Sequence, residues 1–173
     1  YATMKFSGFP AHKVIGSGTT LDTSRLQKQI GNLLDVDYRS VNAYIMGEHG
    51  DTEFPVWSNA NVGGLSIEEW KSTHPNVTQE VLDKAFDQTV NAAYEIINRK
   101  GATFYGIGTA LTSLVRAILN DENAVYLTSS YLDGQYGLSD IHIGVPTVIG
   151  KEGVKQIIEV PLSDEEKEKL EHS

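Results

Sequence analysis

Apolar residues recur along this chain with two different periods, and the period separates helices from strands. Over residues 21–34 the positions Leu21, Leu26, Ile30, Leu33 and Leu34 follow a rough 3.6-residue stripe, which predicts a helix with Thr19 or Thr20 as its cap. Val41-Asn-Ala-Tyr-Ile-Met46 reads as a strand, and residues 59–64 as a polar, glycine-rich connection. Ser66-Ile-Glu-Glu69 is a capping box opening a short helix that carries Trp70, followed by a loop with a solvated His74. The longest helix is predicted over residues 79–100, with Val81, Ala85, Phe86, Thr89, Val90, Ala93, Ile96 and Ile97 on one face and Gly101 as its stop. Another follows over residues 104–119.

The last third changes character. Residues 124–132, 141–149 and 154–160 are strand-like runs joined by Asp133-Gly-Gln-Tyr-Gly137 and Gly150-Lys-Glu-Gly153, both turn chemistry. An antiparallel meander is expected, with Pro146 marking an edge or an irregular strand. Ser163-Asp-Glu-Glu166 is a second capping box, opening a helix that reads as cut short. Helices and an antiparallel sheet in separate stretches give the class α+β, with long helices packed on the sheet.

The 173 residues suit one domain with a real core. A formal net charge of -9 argues against nucleic acid as a partner, and the absence of cysteine excludes disulfides, thiolate metal sites and cysteine nucleophiles. No apolar run approaches the roughly 18 residues of a membrane span, and no secretory signal is visible, so a cytoplasmic protein is the simplest expectation. The chain opens at Tyr1 rather than at methionine, which reads as the interior of a longer protein.

Chemistry concentrates around Gly47-Glu-His-Gly-Asp-Thr-Glu53, where one histidine stands between two glycines with carboxylates at Glu48, Asp51 and Glu53. A loop histidine framed this way is a candidate general acid or base, against the plainer possibility of a polar turn facing water. Asp22 and Arg25, three apart at the head of the first long helix, project toward one region. Arg25 could hold a small organic acid by its fork, and Asp22 could orient a histidine; alternatively the two form a surface ion pair contributing about 0.3–0.5 kcal/mol. Gly106 and Gly108 cost about 1 kcal/mol each in a helix, so a neighbouring helix or a ligand is expected close to that backbone. Gly16-Ser-Gly18 lacks the third glycine of a dinucleotide fingerprint, and His142 beside Asp140 reads as structural. Arginine for a carboxylate, histidine for a proton and aspartate to orient the histidine suit redox chemistry on a 2-hydroxy acid. The hydride acceptor must then be a cofactor such as NAD.

Val14-Ile-Gly-Ser-Gly-Thr-Thr-Leu-Asp-Thr-Ser-Arg25, Gly47-Glu-His-Gly-Asp-Thr-Glu-Phe-Pro-Val-Trp-Ser58, Lys100-Gly-Ala-Thr-Phe-Tyr-Gly-Ile107 and Asp133-Gly-Gln-Tyr-Gly137 stand in this order along the chain. In these motifs it resembles the substrate-binding, C-terminal part of bacterial NAD-dependent L-lactate dehydrogenases of the lactate/malate dehydrogenase family. The resemblance implies a cytoplasmic homotetramer of fermentative glycolysis that interconverts L-lactate and pyruvate. It implies His49 as acid/base, Asp22 as its orienting partner, Arg25 as the carboxylate clamp, Thr103 as a pocket residue, and Ser17 and Ile107 as contacts to the nicotinamide end of NAD. The family's N-terminal dinucleotide-binding (Rossmann) domain has no counterpart in these residues, so the chain alone is expected to be inactive. Members activated by a sugar bisphosphate carry cations where this sequence has Gln27 and Asn42, which implies no activation by fructose bisphosphate.

Other readings stay open. The family likeness leaves room for malate or a branched 2-hydroxy acid as substrate. A metal-dependent hydrolase would use His49 and Asp51 with Glu48 or His142, and a non-catalytic assembly module could coexist with the first reading.

Overall fold

The computed structural model describes all 173 residues and has the expected α+β class. A short helix α1 (Ala2–Ser7) leads through a turn to α2 (Thr20–Leu34). Four two-residue strand pieces follow: β1 (Val41–Asn42), β2 (Ile45–Met46), β3 (Phe54–Pro55) and β4 (Asn61–Val62), with β5 (Leu65–Ser66) closing the group. Then come α3 (Ile67–Thr73), α4 (Gln79–Lys100), α5 (Tyr105–Leu119), the strands β6 (Ala124–Asp133), β7 (Ser139–Gly150) and β8 (Gly153–Ile157), and α6 (Asp164–His172). β6, β7 and β8 form the expected antiparallel meander, and both capping boxes are made in full. No helix is long and apolar enough to cross a membrane.

Two hydrophobic cores meet at one dipeptide. Leu26, Ile30, Val41, Val62 and Leu82 pack with Ile45 between α2, the small β1–β4–β5 sheet and α4. Phe54, Leu127, Leu132, Ile143 and Leu170 pack with Met46 between the meander and α6. Successive side chains of an extended backbone point to opposite sides, so Ile45 and Met46, both 0% exposed, anchor one in each core. The loop carrying His49 therefore leaves from the seam of the molecule, fixed from both sides.

Several expectations are corrected. The strand predicted over residues 41–46 is broken at residues 43–44, where the chain changes partner: Val41–Asn42 pairs with β4 and Ile45–Met46 with β3, while α2 and its cap residue hold the other side of Ile45. The hydroxyl of Thr19 donates to the Ile45 carbonyl at 2.6 Å, and the Ile45 N–H donates to the hydroxyl of Thr23 at 3.0 Å. For the same reason neither Thr19 nor Thr20 caps α2 with its side chain; the Thr20 hydroxyl donates instead to the Leu127 carbonyl at 2.9 Å. The polar connection at residues 59–64 contains β4 and its turn: Gly63 and Gly64, with φ of 61° and 89°, join β4 to β5 in the positive-φ geometry of a tight hairpin. Helix α1 was not predicted. On α4 the covered face is Leu82, Ala85 and Thr89, while Ile97 is exposed.

Pro146 lies on the central strand rather than an edge, yet the ladder does end there. Ile158 donates its N–H to the Pro146 carbonyl, but proline has no N–H to return. The Ile158 carbonyl accepts instead from the Tyr136 hydroxyl at 2.9 Å, and that hydroxyl in turn accepts the Val160 N–H at 3.0 Å. This is why β8 stops at Ile157, short of the predicted residue 160, and it gives the tyrosine of the Gly134–Gly137 turn a structural task.

Candidate active site

The first turn of α2 carries Asp22, 2% exposed, and Arg25 one turn later. Nη1 of Arg25 donates to Oδ1 of Asp22 at 3.1 Å. Nδ1 of His49 stands 2.8 Å from the other oxygen, Oδ2. One buried carboxylate thus joins the helix cation to the loop imidazole. The alternative of a surface ion pair fails on burial: the Asp22 side chain is 3% exposed and that of Arg25 19%.

The loop is held in place from three directions. Gly47 exchanges backbone hydrogen bonds with Gly144 of β7 at 3.1 and 2.9 Å. Ser173, directly after α6, accepts the Glu48 N–H on its hydroxyl at 2.7 Å and lies 2.9 Å from the Thr52 hydroxyl. Gly47 has φ of 100°, and a Cβ there would stand 2.5 Å from the Ser173 hydroxyl, so only glycine fits. The third anchor is Glu53, 8% exposed, whose Oε2 lies 3.6 Å from the same His49 nitrogen.

These surroundings set the charge on His49. The Asp22 carboxylate first, and Glu53 second, raise its pKa to about 10 against the loss of hydration. Burial raises the carboxyl of Glu53 above its ordinary range, with His49 pulling the other way. With His49 protonated, the cluster holds two cations, Arg25 and His49, against two anions, Asp22 and Glu53.

A cavity of about 150 Å³ opens beside Arg25, lined by Leu21, Ile96, Thr103, Phe104 and Ile107 among others. A Cβ on Gly106 would stand 3.4 Å from Leu21 and 3.7 Å from Nη2 of Arg25, so this glycine admits the α2 side chains to the α5 backbone. At Gly108 a Cβ would meet nothing within 4 Å. The structure therefore gathers Arg25, Thr103 and Ile107 at one hollow, and Asp22 and His49 on the far side of the Arg25–Asp22 contact. His49 does not line that hollow. Ser17 is in neither group; it lies in the turn before α2, which β6 holds in place. Gly16 pairs with Ser129, and Gly18, φ 53°, would place a Cβ 2.5 Å from the Ser129 nitrogen. Those glycines serve close packing on β6, not a phosphate.

The ligand set of the hydrolase alternative does not assemble. Asp51, Glu48 and His142 are not grouped with His49; His142 packs against the rings of Tyr1 and Tyr131. The one cluster of metal-ligand type is Asp22, His49 and Glu53, and there Arg25 and the imidazolium already balance both carboxylates. Glu53 was visible in the sequence only as one of three loop carboxylates. Its signal is the four-residue step from His49, which a turn brings onto the same nitrogen. Ser173 had no sequence signal of its own. Gln27 and Asn42 are engaged inside the chain, on the Ala43 carbonyl at 3.3 Å and on Asn61 at 3.1 Å.

The sequence profile described as lactate/malate dehydrogenase, alpha/beta C-terminal domain, matches residues 19–173. The chain is 60% identical over 173 residues to an L-lactate dehydrogenase of Latilactobacillus sakei, and 58% identical over the same length to one of Lacticaseibacillus casei. Each match takes in 100% of this chain and 53% of the relative, so the chain spans about half the length of the curated relatives it matches. Among solved structures, the minor L-lactate dehydrogenase of Enterococcus mundtii in its ligands-bound form is similar with a TM-score of 0.94 and 47% identity, over 98% of this chain and 54% of that one. A lactate dehydrogenase from a Medee basin deep-sea metagenome library gives a TM-score of 0.97 and 44% identity, over 100% of this chain and 55% of that one.

Proposed function

The chain belongs to the lactate/malate dehydrogenase family, and from that premise we propose that it is the substrate-binding, acid–base half of an NAD-dependent L-lactate dehydrogenase. The observation that carries the reading is the Asp22 carboxylate, which meets Arg25 on one oxygen and His49 on the other. Arg25 keeps further N–H groups for the carboxylate of a small 2-oxo acid, beside a cavity of about 150 Å³. Thr103 lines that cavity and offers its hydroxyl beside the substrate.

His49 turns Nδ1 to the carboxylates, which leaves Nε2 for the substrate oxygen. In pyruvate reduction Nε2 gives its proton to that oxygen while the carbon takes up a hydride; in lactate oxidation the neutral ring takes the proton back. Asp22 fixes the tautomer and stabilises the imidazolium, the division of labour known from the serine-protease triad. NAD, when bound, supplies or accepts the hydride. Ile107, half-buried at the cavity wall, offers apolar contact for its nicotinamide end, and we assign Ser17 to the same end from its place before α2. Because Gly16 and Gly18 are committed to β6, we assign the phosphate cradle to a Rossmann domain outside these residues, and turnover requires it.

Helix α5 supports a larger assembly. It buries Ala110, Leu114 and Ala117 yet leaves Leu111, Val115 and Leu119 exposed, which is apolar surface suited to cover by that domain or by further copies in a cytoplasmic homotetramer.

The test is the reduction of pyruvate by NADH with the intact enzyme, set against oxaloacetate and branched 2-oxo acids. Pyruvate is expected to be preferred. His49→Gln should lower kcat by roughly 100- to 10,000-fold and leave NADH binding largely intact. Arg25→Lys should weaken substrate binding and turnover together, since lysine lacks the fork. Wild-type rates in both variants would overturn the assignment.

A further inference from the structure

We propose that Glu53 is a fourth member of this site: a second counter-charge that, with Asp22, keeps the proton on His49 between turnovers. It rests on the acid–base reading of His49 given above and adds a positioning residue to it. The Glu53 side chain is 4% exposed, and its Oε2 accepts no aligned hydrogen bond from any donor of the chain. A carboxylate taken out of water without a donor persists only where a cation compensates it. The nearest cationic group is the His49 ring, 3.6 Å away at Nδ1, the same nitrogen that faces Asp22 at 2.8 Å.

From α2 the charged groups around the ring are Asp22 and, across it, Arg25; from the ring's own loop they are Glu53, with Glu48 and Asp51 as neighbours in sequence. On the other side of Glu53, α6 brings Glu165, Glu166, Lys169 and His172 to the wall of a shared hollow, none of their cations within 4 Å of the Glu53 carboxylate. Asp22 is the nearer and stronger partner of the ring, but its single charge is shared with Arg25 on the other oxygen. Glu53 supplies the missing negative charge, so the four groups balance only when His49 is protonated. When Nε2 gives its proton to the substrate oxygen, an N–H bond breaks, an O–H bond forms, and the cluster is left with one uncompensated negative charge. Uptake of a proton from water restores the balance. Both carboxylates push the ring in this direction, to a pKa of about 10, and burial pushes Glu53 itself upward.

The experiment is a pH titration of the intact protein, labelled in histidine and glutamate and followed by NMR, with His49→Gln identifying the ring signals. In the wild type the carboxyl carbon of Glu53 should move with the same midpoint as the His49 ring. In Glu53→Gln the ring midpoint should fall by about one pH unit, about a tenfold loss of proton affinity. Glu53→Asp should restore part of it. A Glu53 carboxyl that stays flat through the His49 titration overturns the proposal without any variant having to fold, and so does an unmoved ring in a folded Glu53→Gln protein. The pyruvate assay is read separately. A coupled titration in a protein inactive on pyruvate supports the Glu53 assignment and removes the lactate reading; an active enzyme with uncoupled titrations does the reverse.

Discussion

Ser173 holds Glu48: its hydroxyl accepts the Glu48 N–H at 2.7 Å, one residue before His49. A side chain that follows α6 thereby clasps the His49 loop, 125 positions earlier in the chain. The same hydroxyl packs over the bare Cα of Gly47. Replacing Ser173 with alanine removes this acceptor and the contact to Thr52 while leaving the packing volume nearly unchanged. A net hydrogen bond contributes about 0.5–1.5 kcal/mol, so a small drop in unfolding temperature is expected, together with a several-fold lower kcat as the loop loosens. Steady-state kinetics and thermal unfolding check it; wild-type values in both would show that the clasp is idle.

The raised pKa of His49 fixes the pH behaviour. Under the proposed function, pyruvate reduction by the intact enzyme uses the protonated ring, so kcat/KM should hold through neutral pH and fall only as pH climbs toward about 10. Lactate oxidation needs the neutral ring and should rise over that range. Stability follows the same proton. The group's pKa is higher folded than its ordinary value of 6.5, so its contribution is fully present below 6.5 and is lost between there and about 10. The difference in unfolding temperature between wild type and His49→Gln should shrink across that window. A difference that grows with pH would contradict the assignment of the proton to His49.

The helices were legible because burial on one side imposes a 3.6-residue stripe, as Leu26 and Ile30 show, and the meander because its turns are rich in glycine. What escaped was decided by partners distant in sequence. The strand at residues 41–46 breaks because its first half pairs with β4 and its second half with β3, with Thr19 and Thr23 holding Ile45 from the side of α2. Pro146 sits on a central strand because Tyr136 satisfies the carbonyl that the proline leaves unpaired. At the site, the types and spacing of Asp22, Arg25 and His49 suggested their chemistry, but their sharing of a single carboxylate is a tertiary fact. Glu53 was hidden by its neighbours: three loop carboxylates look alike until burial selects one.

Gln27 and Asn42 bear on regulation. Both are neutral and both already donate within the chain, to Ala43 and Asn61, so neither offers a charge to a sugar bisphosphate. Adding fructose bisphosphate should leave the pyruvate saturation curve of the intact enzyme unchanged. A sharp fall in KM on its addition would refute this.

The joint between the His49 loop and the meander makes a last, structural prediction. Gly144 and Gly47 exchange two backbone hydrogen bonds, and a Cβ on Gly144 would stand 2.6 Å from the Gly47 carbonyl and 2.9 Å from the Thr19 hydroxyl. Backbone cannot yield there as the tip of a flexible side chain could, because Thr19 is itself tied to Ile45 at 2.6 Å. Gly144→Ala must therefore push the loop off β7 or distort the sheet, at about 1–3 kcal/mol for overpacking. Activity should fall as well, since the displaced segment lies two residues before His49. Gly108→Ala is the matched control on α5: a Cβ there meets nothing within 4 Å, and alanine favours the helix by about 1 kcal/mol, so the protein should gain stability. Denaturant unfolding of the two variants tests the contrast. A Gly144→Ala protein as stable as wild type would mean that the loop is not fastened to β7 through this pair.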